Sequence, residues 1–437
     1  MFPIPEDLVP PDRNKLNSYL PIRKKGNDFD WDIITGMVLG HALKKQIKQS
    51  NIDQFRNDCR DQFHARLDRP EFWDVLDRMY FSSGAVFNIS PLFLLFKAQR
   101  KSSGKTALGT PNARMGGLFF GLICGANPLN DVKDQLNFIE RQMLLLLQQK
   151  LTDALDDAVS EQPYLPYIAN AFQDDIKFLA AHPKYLLQEL TNTLRLYAFS
   201  YCSQMALNIT NWKEGEPKSR PLYFILDTER ASTERVNVRL YGFRLFSEAS
   251  ERLFPVLSAL EAIQHKDFKR PLWQVFKDCV EHPNQDRVLQ VFNGYLSAFA
   301  DNRKLKVRDA AKTVEAAFEQ LQGIAIEQFK DNSSDRSETN AKYTKELEKQ
   351  ICGDFIQTRG RAGRVLVLNQ DQLLLLTNLA IGMNEKLRLH ELMDEFCRRG
   401  FYMDGQTQQV LVGFYERMGN VERMSDSGDA VYVRKTI

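Results

Sequence analysis

Cysteine and histidine are scarce, and neither is arranged for chemistry. The six cysteines, Cys59, Cys124, Cys202, Cys279, Cys352 and Cys397, are scattered, with no C-x-x-C pair and no histidine at zinc-finger spacing. That excludes a recognisable structural zinc site or disulfide framework, and lone cysteines of this kind pack as small apolar residues in a reduced cytosol. The six histidines, His41, His64, His182, His265, His282 and His390, form no H-x-H or H-E-x-x-H pattern. No metal and no cofactor is therefore expected. An excess of one charge is lacking too. Lys plus Arg number 58 against 56 Asp plus Glu, so any nucleic-acid contact has to come from local patches. The longest low-charge window, GGLFFGLICGANPL, is broken by glycine and too short to span a bilayer. The first residues, MFPIPEDLVPPDRN, lack the basic start and apolar run of a secretory signal. A soluble cytoplasmic protein with no membrane partner is expected.

What is present is ordinary globular composition over 437 residues, 43% hydrophobic and 26% charged, enough for two or three domains with sizeable cores. Residues 1–30 are proline-rich and then basic, the pattern of an extended arm. Asp32 is a candidate cap for a helix through IITGMVLGHALKKQIKQS, and helical spacing continues through residues 51–68 and 71–83. Residues 101–117 read as a basic loop carrying Lys101, Lys105 and Arg114. Apolar residues at steps of three and four predict long helices over 131–159 and 185–212. PLYFILD reads as a buried strand, and further helices are expected over 245–264, 272–281, 286–299 and 303–329. The polar stretch 330–345 has the composition of a linker. The expected fold class is mainly α, with minor β elements. Its domains are an N-terminal helical region (1–125), a central helical domain (126–335) and a C-terminal domain (350–437).

Three fragments raise the question of nucleotide chemistry. Ser103-Gly104-Lys105-Thr106 imitates the end of a phosphate-binding loop, YFILDTE a strand ending in a metal-holding acid at Asp227, and QTRGRAGR an arginine-finger motif. A phosphate loop needs a glycine five residues before Gly104, where the turn lets successive N–H groups surround the phosphates. Gln99 stands there. Glycine and proline follow where the supporting helix should start, so no helix N-terminus is expected to hold the anion. Without the loop, Asp227 has no nucleotide-bound magnesium to hold, and it reads as the end of a core strand. QTRGRAGR leads into an apolar strand, VLVLN, rather than a helix, and reads as a basic turn. Its Arg359, Arg361 and Arg364 are expected in reach of phosphate or of an acidic partner, with Gly360 and Gly363 for tight backbone. Glu216-Pro217-Lys218 imitates a nuclease E-x-K but sits in a turn, and no G-x-S-x-G marks a serine hydrolase. No catalytic residue is assigned.

The C-terminal segment is the most readable. QDQLLLLTNLAIG is one helix ended by Gly382. LRLHELMDEFCRRG is a second, with Leu387, Leu389, Leu392, Met393 and Phe396 inward and Gly400 at its stop. FYMD turns into a third, GQTQQVLVGFYERMG, with Val410, Leu411, Phe414 and Tyr415 facing the core. Residues 421–425 and 430–434 read as a hairpin about a turn at 426–429. Three helices and a hairpin predict a winged helix-turn-helix, whose third helix can enter a major groove. The candidate DNA-binding residues are Gln406, Gln408, Gln409 and Arg417 on that helix, and Arg423, Arg434 and Lys435 on the wing. Arg359, Arg361, Arg364, Lys101 and Lys105 are second choices. The segment 353–437 carries as many acids as bases, so docking of a protein is an equal alternative to DNA.

LPIRKKGNDFDWDIITGMVLG, PLYFILDTERAST, RGRAGRVLVLNQDQLLLLT, RRGFYMDGQTQQVL and RMSDSGDAVYVRK together resemble the DptG (DndG) family, over what looks like the whole chain. The resemblance implies a component of the DptFGH (DndFGH) restriction module of bacteria whose own DNA carries phosphorothioate linkages, a module that damages DNA lacking that sulfur mark. It implies a non-enzymatic subunit beside a DptF-like ATPase and a DptH-like helicase or ATPase, and it carries over no catalytic residues. The rival readings are an NTPase or nuclease with an unrecognised site, and a scaffold that binds only protein.

Overall fold

The structure is a computed structural model. It describes residues 2–47, 50–66, 69–99, 110–125, 129, 135–154, 161–231, 234–265, 267–330, 335–424 and 430–437. The chain is mainly helical with small sheets, and none of its described helices is long and apolar enough to cross a membrane. It forms two compact units. One gathers Met1–Asn27, Ser160–Phe172 and Arg195–Ile437; the other gathers Asp28–Val159 and Gln173–Leu194.

In the smaller unit, α1 (Trp31–Leu43) is capped by Asp30, whose carboxylate accepts from Asp32 N and Ile33 N. The expected cap, Asp32, lies inside the first turn instead and pairs with Lys97 at 2.8 Å. Lys44 takes a left-handed conformation, and β1 (Lys45–Ile47) follows where the helix was expected to continue. Gly36 is required on α1, because a Cβ there would sit 2.7 Å from the backbone of Leu94 and Ala98. Helix α2 (Ile52–His64) opens on an Asn51–Gln54 capping box and buries Phe55, Cys59 and Phe63. Short α3 (Trp73–Leu76) continues into a wider turn over Asp77–Ser82. Helix α4 (Pro111–Ile123) begins inside the stretch 101–117 that is expected to be loop. The proline that argued against a helix sits in its first turn, where its missing N–H costs nothing, and Thr110 caps it. Arg114 is therefore helical and half-buried. Over its described residues, 135–154, the long helix expected over 131–159 is α5 (Phe138–Gln148) followed by β2 (Leu151–Asp153), which pairs antiparallel with β1. Helices α6 (Pro166–Ala181) and α7 (Pro183–Asn208) contribute residues to both units.

In the larger unit the N-terminal arm has no helix or strand, yet Ile4, Leu16, Leu20 and Ile22 are buried. His265 is 2.9 Å from the Phe2 carbonyl, Arg303 donates to Pro11 O at 2.8 Å, and Asn27 donates to Glu346 at 2.9 Å. Arg23 turns inward onto Leu20 O and Ile22 O, leaving Lys24 and Lys25 exposed. After α7 come β3 (Tyr223–Leu226), α8 (Val236–Tyr241), α9 (Phe243–Ser250), α10 (Leu253–Ile263), α11 (Leu272–Val280), α12 (Gln285–Arg303) and α13 (Val314–Glu327). The expected linker is helix α14 (Asp335–Leu347) over its described residues. Its composition misleads because it buries little of itself: Leu347 is covered and Tyr343 stacks on Phe254 at 4.1 Å, while the rest is polar.

The chain ends in β4 (Ile356–Thr358), β5 (Arg364–Leu368), α15 (Gln370–Ile381), β6 (Lys386–Arg388), α16 (Leu389–Arg398), β7 (Tyr402–Met403), α17 (Gly405–Met418), β8 (Val421–Met424) and β9 (Ala430–Arg434). One sheet has the order β4-β5-β3-β7, with β3 parallel to both β5 and β7. The PLYFILD strand is thus completed by strands from more than a hundred residues downstream. Phe199 of α7 closes this sheet over, stacked on Phe355 at 4.2 Å and edge-on to Phe224 at 5.7 Å. Aromatic burial of this kind supplies much of a core's free energy.

Candidate nucleic-acid interface

Helix α15 starts at an Asn369–Gln372 capping box and stops at Gly382 with φ +57°. The next residues depart from expectation. The apolar spacing places Leu387 at the start of the second helix, but it lies in β6, opposite Val433 of β9. Its apolar side chain fits either element, and the partner strand decides. Helix α16 then buries Leu392 and Phe396. Arg399 is 2% exposed at its end, paired with Glu395 at 2.6 Å, with Nη2 donating to Leu379 O at 3.2 Å. Gly400 (φ +83°) turns the chain into β7, so FYMD, expected as a turn into the third helix, contains a short strand.

Asp404 caps α17, accepting the Thr407 N–H at 2.9 Å. The helix buries Thr407, Leu411, Phe414 and Tyr415, and stops at Gly419 with φ +74°. Val410, expected in the core, is half-buried. Strands β8 and β9 pair antiparallel, and β6 adds to β9, giving the order β6-β9-β8. The hairpin turn 426–429 lies outside the described residues.

The candidate side chains have different surroundings. Gln406 and Gln409 are exposed in the first turns of α17, whereas Gln408 is half-buried and donates to Met403 O at 3.0 Å. Arg417 is exposed near the other end of the helix, with no carboxylate of a described residue at ion-pair distance. Arg423 pairs with Glu416, and Arg434 pairs with Glu422 at 2.7 Å. Lys386 also reaches Glu422, at 2.9 Å. The hydrogen bond from Lys386, with help from Arg434, holds the Glu422 carboxyl below its ordinary pKa. Lys435 donates to Gly382 O at 3.1 Å. Lys386 and Arg388, which the sequence did not single out, flank the Tyr432 ring at 5.1 and 5.7 Å.

The Arg359–Arg364 group forms the β4–β5 turn, with Gly360 at φ +47° and Gly363 at φ +72°, a region where glycine is favoured. Arg359 donates to Asp227 O at 2.7 Å. Arg364 pairs with Glu348 and lies over the Phe243 ring at 4.3 Å, while Arg361 is exposed. Lys101 and Lys105, with the whole Ser103–Thr106 fragment, lie outside the described residues. Among the described residues no group of three or more His, Cys, Asp or Glu is placed to hold a metal ion.

A buried polar cluster at the start of α17 escaped the sequence reading. Arg235, 5% exposed, donates through Nη1 to Glu229 at 2.7 Å and through Nε to Asp404 at 2.9 Å, and its Nη2 reaches both Asp404 and Thr407. Glu229 is 3% exposed, and its other oxygen accepts Leu226 N at 2.8 Å. Burial pulls the Asp404 carboxyl toward a higher pKa, but Arg235 and the Thr407 N–H outweigh it and hold it below the ordinary value. The only trace in sequence is the Asp404–Thr407 spacing of a helix cap.

No model of a known protein family matches the chain, and no curated protein matches it.

Proposed function

We propose that the chain is a DNA-contacting subunit of a restriction assembly directed at DNA lacking phosphorothioate marks, and that it has no nucleotide chemistry of its own. The observation that carries the DNA contact is the element order α15, β6, α16, β7, α17, β8, β9, in which β7 joins β3 and the other three strands form a sheet of order β6-β9-β8. A strand after the first helix that pairs with the last strand of a terminal hairpin supports a winged-helix reading, and in helix-turn-helix proteins the recognition helix enters the major groove. On this reading α17 presents Gln406 and Gln409 to base edges. Arg417 and the wing residues Arg423, Arg434 and Lys435 meet phosphates.

The assembly part of the reading rests on the resemblance to the DptG family and on Gln99, which stands where a phosphate loop needs glycine. A DptF-like ATPase and a DptH-like helicase or ATPase would supply the energy, in the cytoplasm. A second reading, a winged helix that docks protein, is favoured by one observation. Arg423 and Arg434 are already paired with carboxylates, which lowers the charge left for phosphates.

The test is binding of the full chain to a labelled duplex across a salt series. Replacing Arg417, Arg434 and Lys435 with alanine is expected to weaken binding and to lower the salt slope by about one for each phosphate no longer neutralised. Unchanged affinity removes the DNA assignment. Co-purification with the ATPase without DNA binding favours the docking reading.

A further inference from the structure

Helix α17 does not start from a free loop. Its cap, Asp404, and its first inward side chain, Thr407, are both held by one guanidinium that arrives from a distant part of the sequence. The same guanidinium is anchored to Glu229, which stands just past the end of β3 and is itself fixed by Leu226 N. Thr407 closes the loop by donating to Glu229 at 3.2 Å. Every partner here is fixed: Glu229, Arg235 and Thr407 are buried, and Asp404 is largely so. A carboxylate–guanidinium fork sets angle as well as distance. The exposed side of the same helical turn carries Gln406 and Gln409.

We infer that Arg235 is the positioning residue of the DNA-reading helix: by clasping Glu229 and Asp404 it fixes the pose in which Gln406 and Gln409 meet the bases. This inference rests on the DNA reading above. Arg235 touches no DNA itself, because its guanidinium is buried and spent on protein partners. Its effect on binding must therefore pass through α17. Three consequences separate it from a phosphate-contacting arginine and from a residue that only stabilises the fold. The salt slope stays unchanged when the clasp is weakened. Loss of the clasp removes the benefit of Gln409. Exchange of amide hydrogens rises in the first turn of α17 and not across the unit.

The experiment is a double-mutant cycle with the full chain on a labelled duplex. Asp404→Asn is the first variant, because asparagine caps a helix as well as aspartate does while the charged fork is lost. Arg235→Lys is the second; it keeps the buried charge, and so guards against simple misfolding of Arg235→Ala. Each is combined with Gln409→Ala. Expected is about tenfold weaker binding for either clasp variant, with the salt slope retained. The further cost of Gln409→Ala should vanish in the clasp-deficient background, as coupled sites require. Strictly additive losses, or a slope lowered by about one, overturn the positioning role while leaving the DNA reading intact. Failure of the unsubstituted chain to bind any duplex overturns that reading, and the inference with it.

Discussion

Glu161 should act as a pH-sensitive latch for the N-terminal arm. Its Oε1 accepts the Tyr19 N–H at 2.9 Å. Tyr19 is 4% exposed and held at φ +65°, so the arm is tightly bound at this point. Burial pushes the Glu161 carboxyl up to about 7; the Tyr19 N–H opposes this, Glu261 adds to it, and Lys269 and Arg23 oppose it. Opening the arm returns the carboxyl to water and to its ordinary 4.5. Below 4.5 it is protonated in both states and the contribution to closure is whole. As pH rises from 4.5 through about 7, the open arm sheds the proton first, and closure weakens until both states are ionised. The full difference is worth about 3 kcal/mol, on the order of 100-fold in the opening equilibrium. The assay is hydrogen exchange by mass spectrometry on peptides covering residues 16–22, from pH 5 to 8.5, corrected for the intrinsic chemical rate. Glu161→Gln keeps an acceptor for Tyr19 N–H but cannot ionise, so its opening equilibrium should be flat across this range. If the wild-type chain and Glu161→Gln show the same pH profile, the buried carboxyl does not govern the arm.

Other expectations follow from single contacts. Phe199→Ala removes a side chain that is 0% exposed and stacked on Phe355; it should cost about 3–5 kcal/mol, read from the denaturant midpoint. Gly400→Ala forces a side chain into φ +83° and places its Cβ 2.7 Å from Gln204 Cγ. It should cost about 1–3 kcal/mol and lower the thermal midpoint. Arg417→Ala, at an exposed site with no described ion-pair partner, should leave stability within about 0.5 kcal/mol and lower the salt slope of duplex binding by about one.

The sequence by itself determined where most helices lie and some of the residues that start and stop them. Apolar residues at steps of three and four place Phe55, Cys59 and Phe63 on one face of α2. Asn369 with Gln372 starts α15, and Gly382, Gly400 and Gly419 supply the positive φ that their turns use. These features were readable because they depend on hydrogen bonds and periodicities spanning only a few residues. The β3 strand and the β4–β5 glycine turn were readable for the same reason. Tertiary structure decided what depends on a distant partner. Leu387 fits a helical stripe as well as a strand, and only Val433 across from it makes β6. The polar 335–347 segment carries too little apolar signal to announce a helix, and the Phe254–Tyr343 stack marks its buried side. The candidate interface divides in the same way. The exposed residues of α17 follow from its periodicity, but which cations are already neutralised depends on where Glu416 and Glu422 arrive. The clasp on Asp404 comes from Arg235, 169 residues earlier; a buried ion pair leaves no period in a sequence, because its geometry exists only once the chain has folded around it.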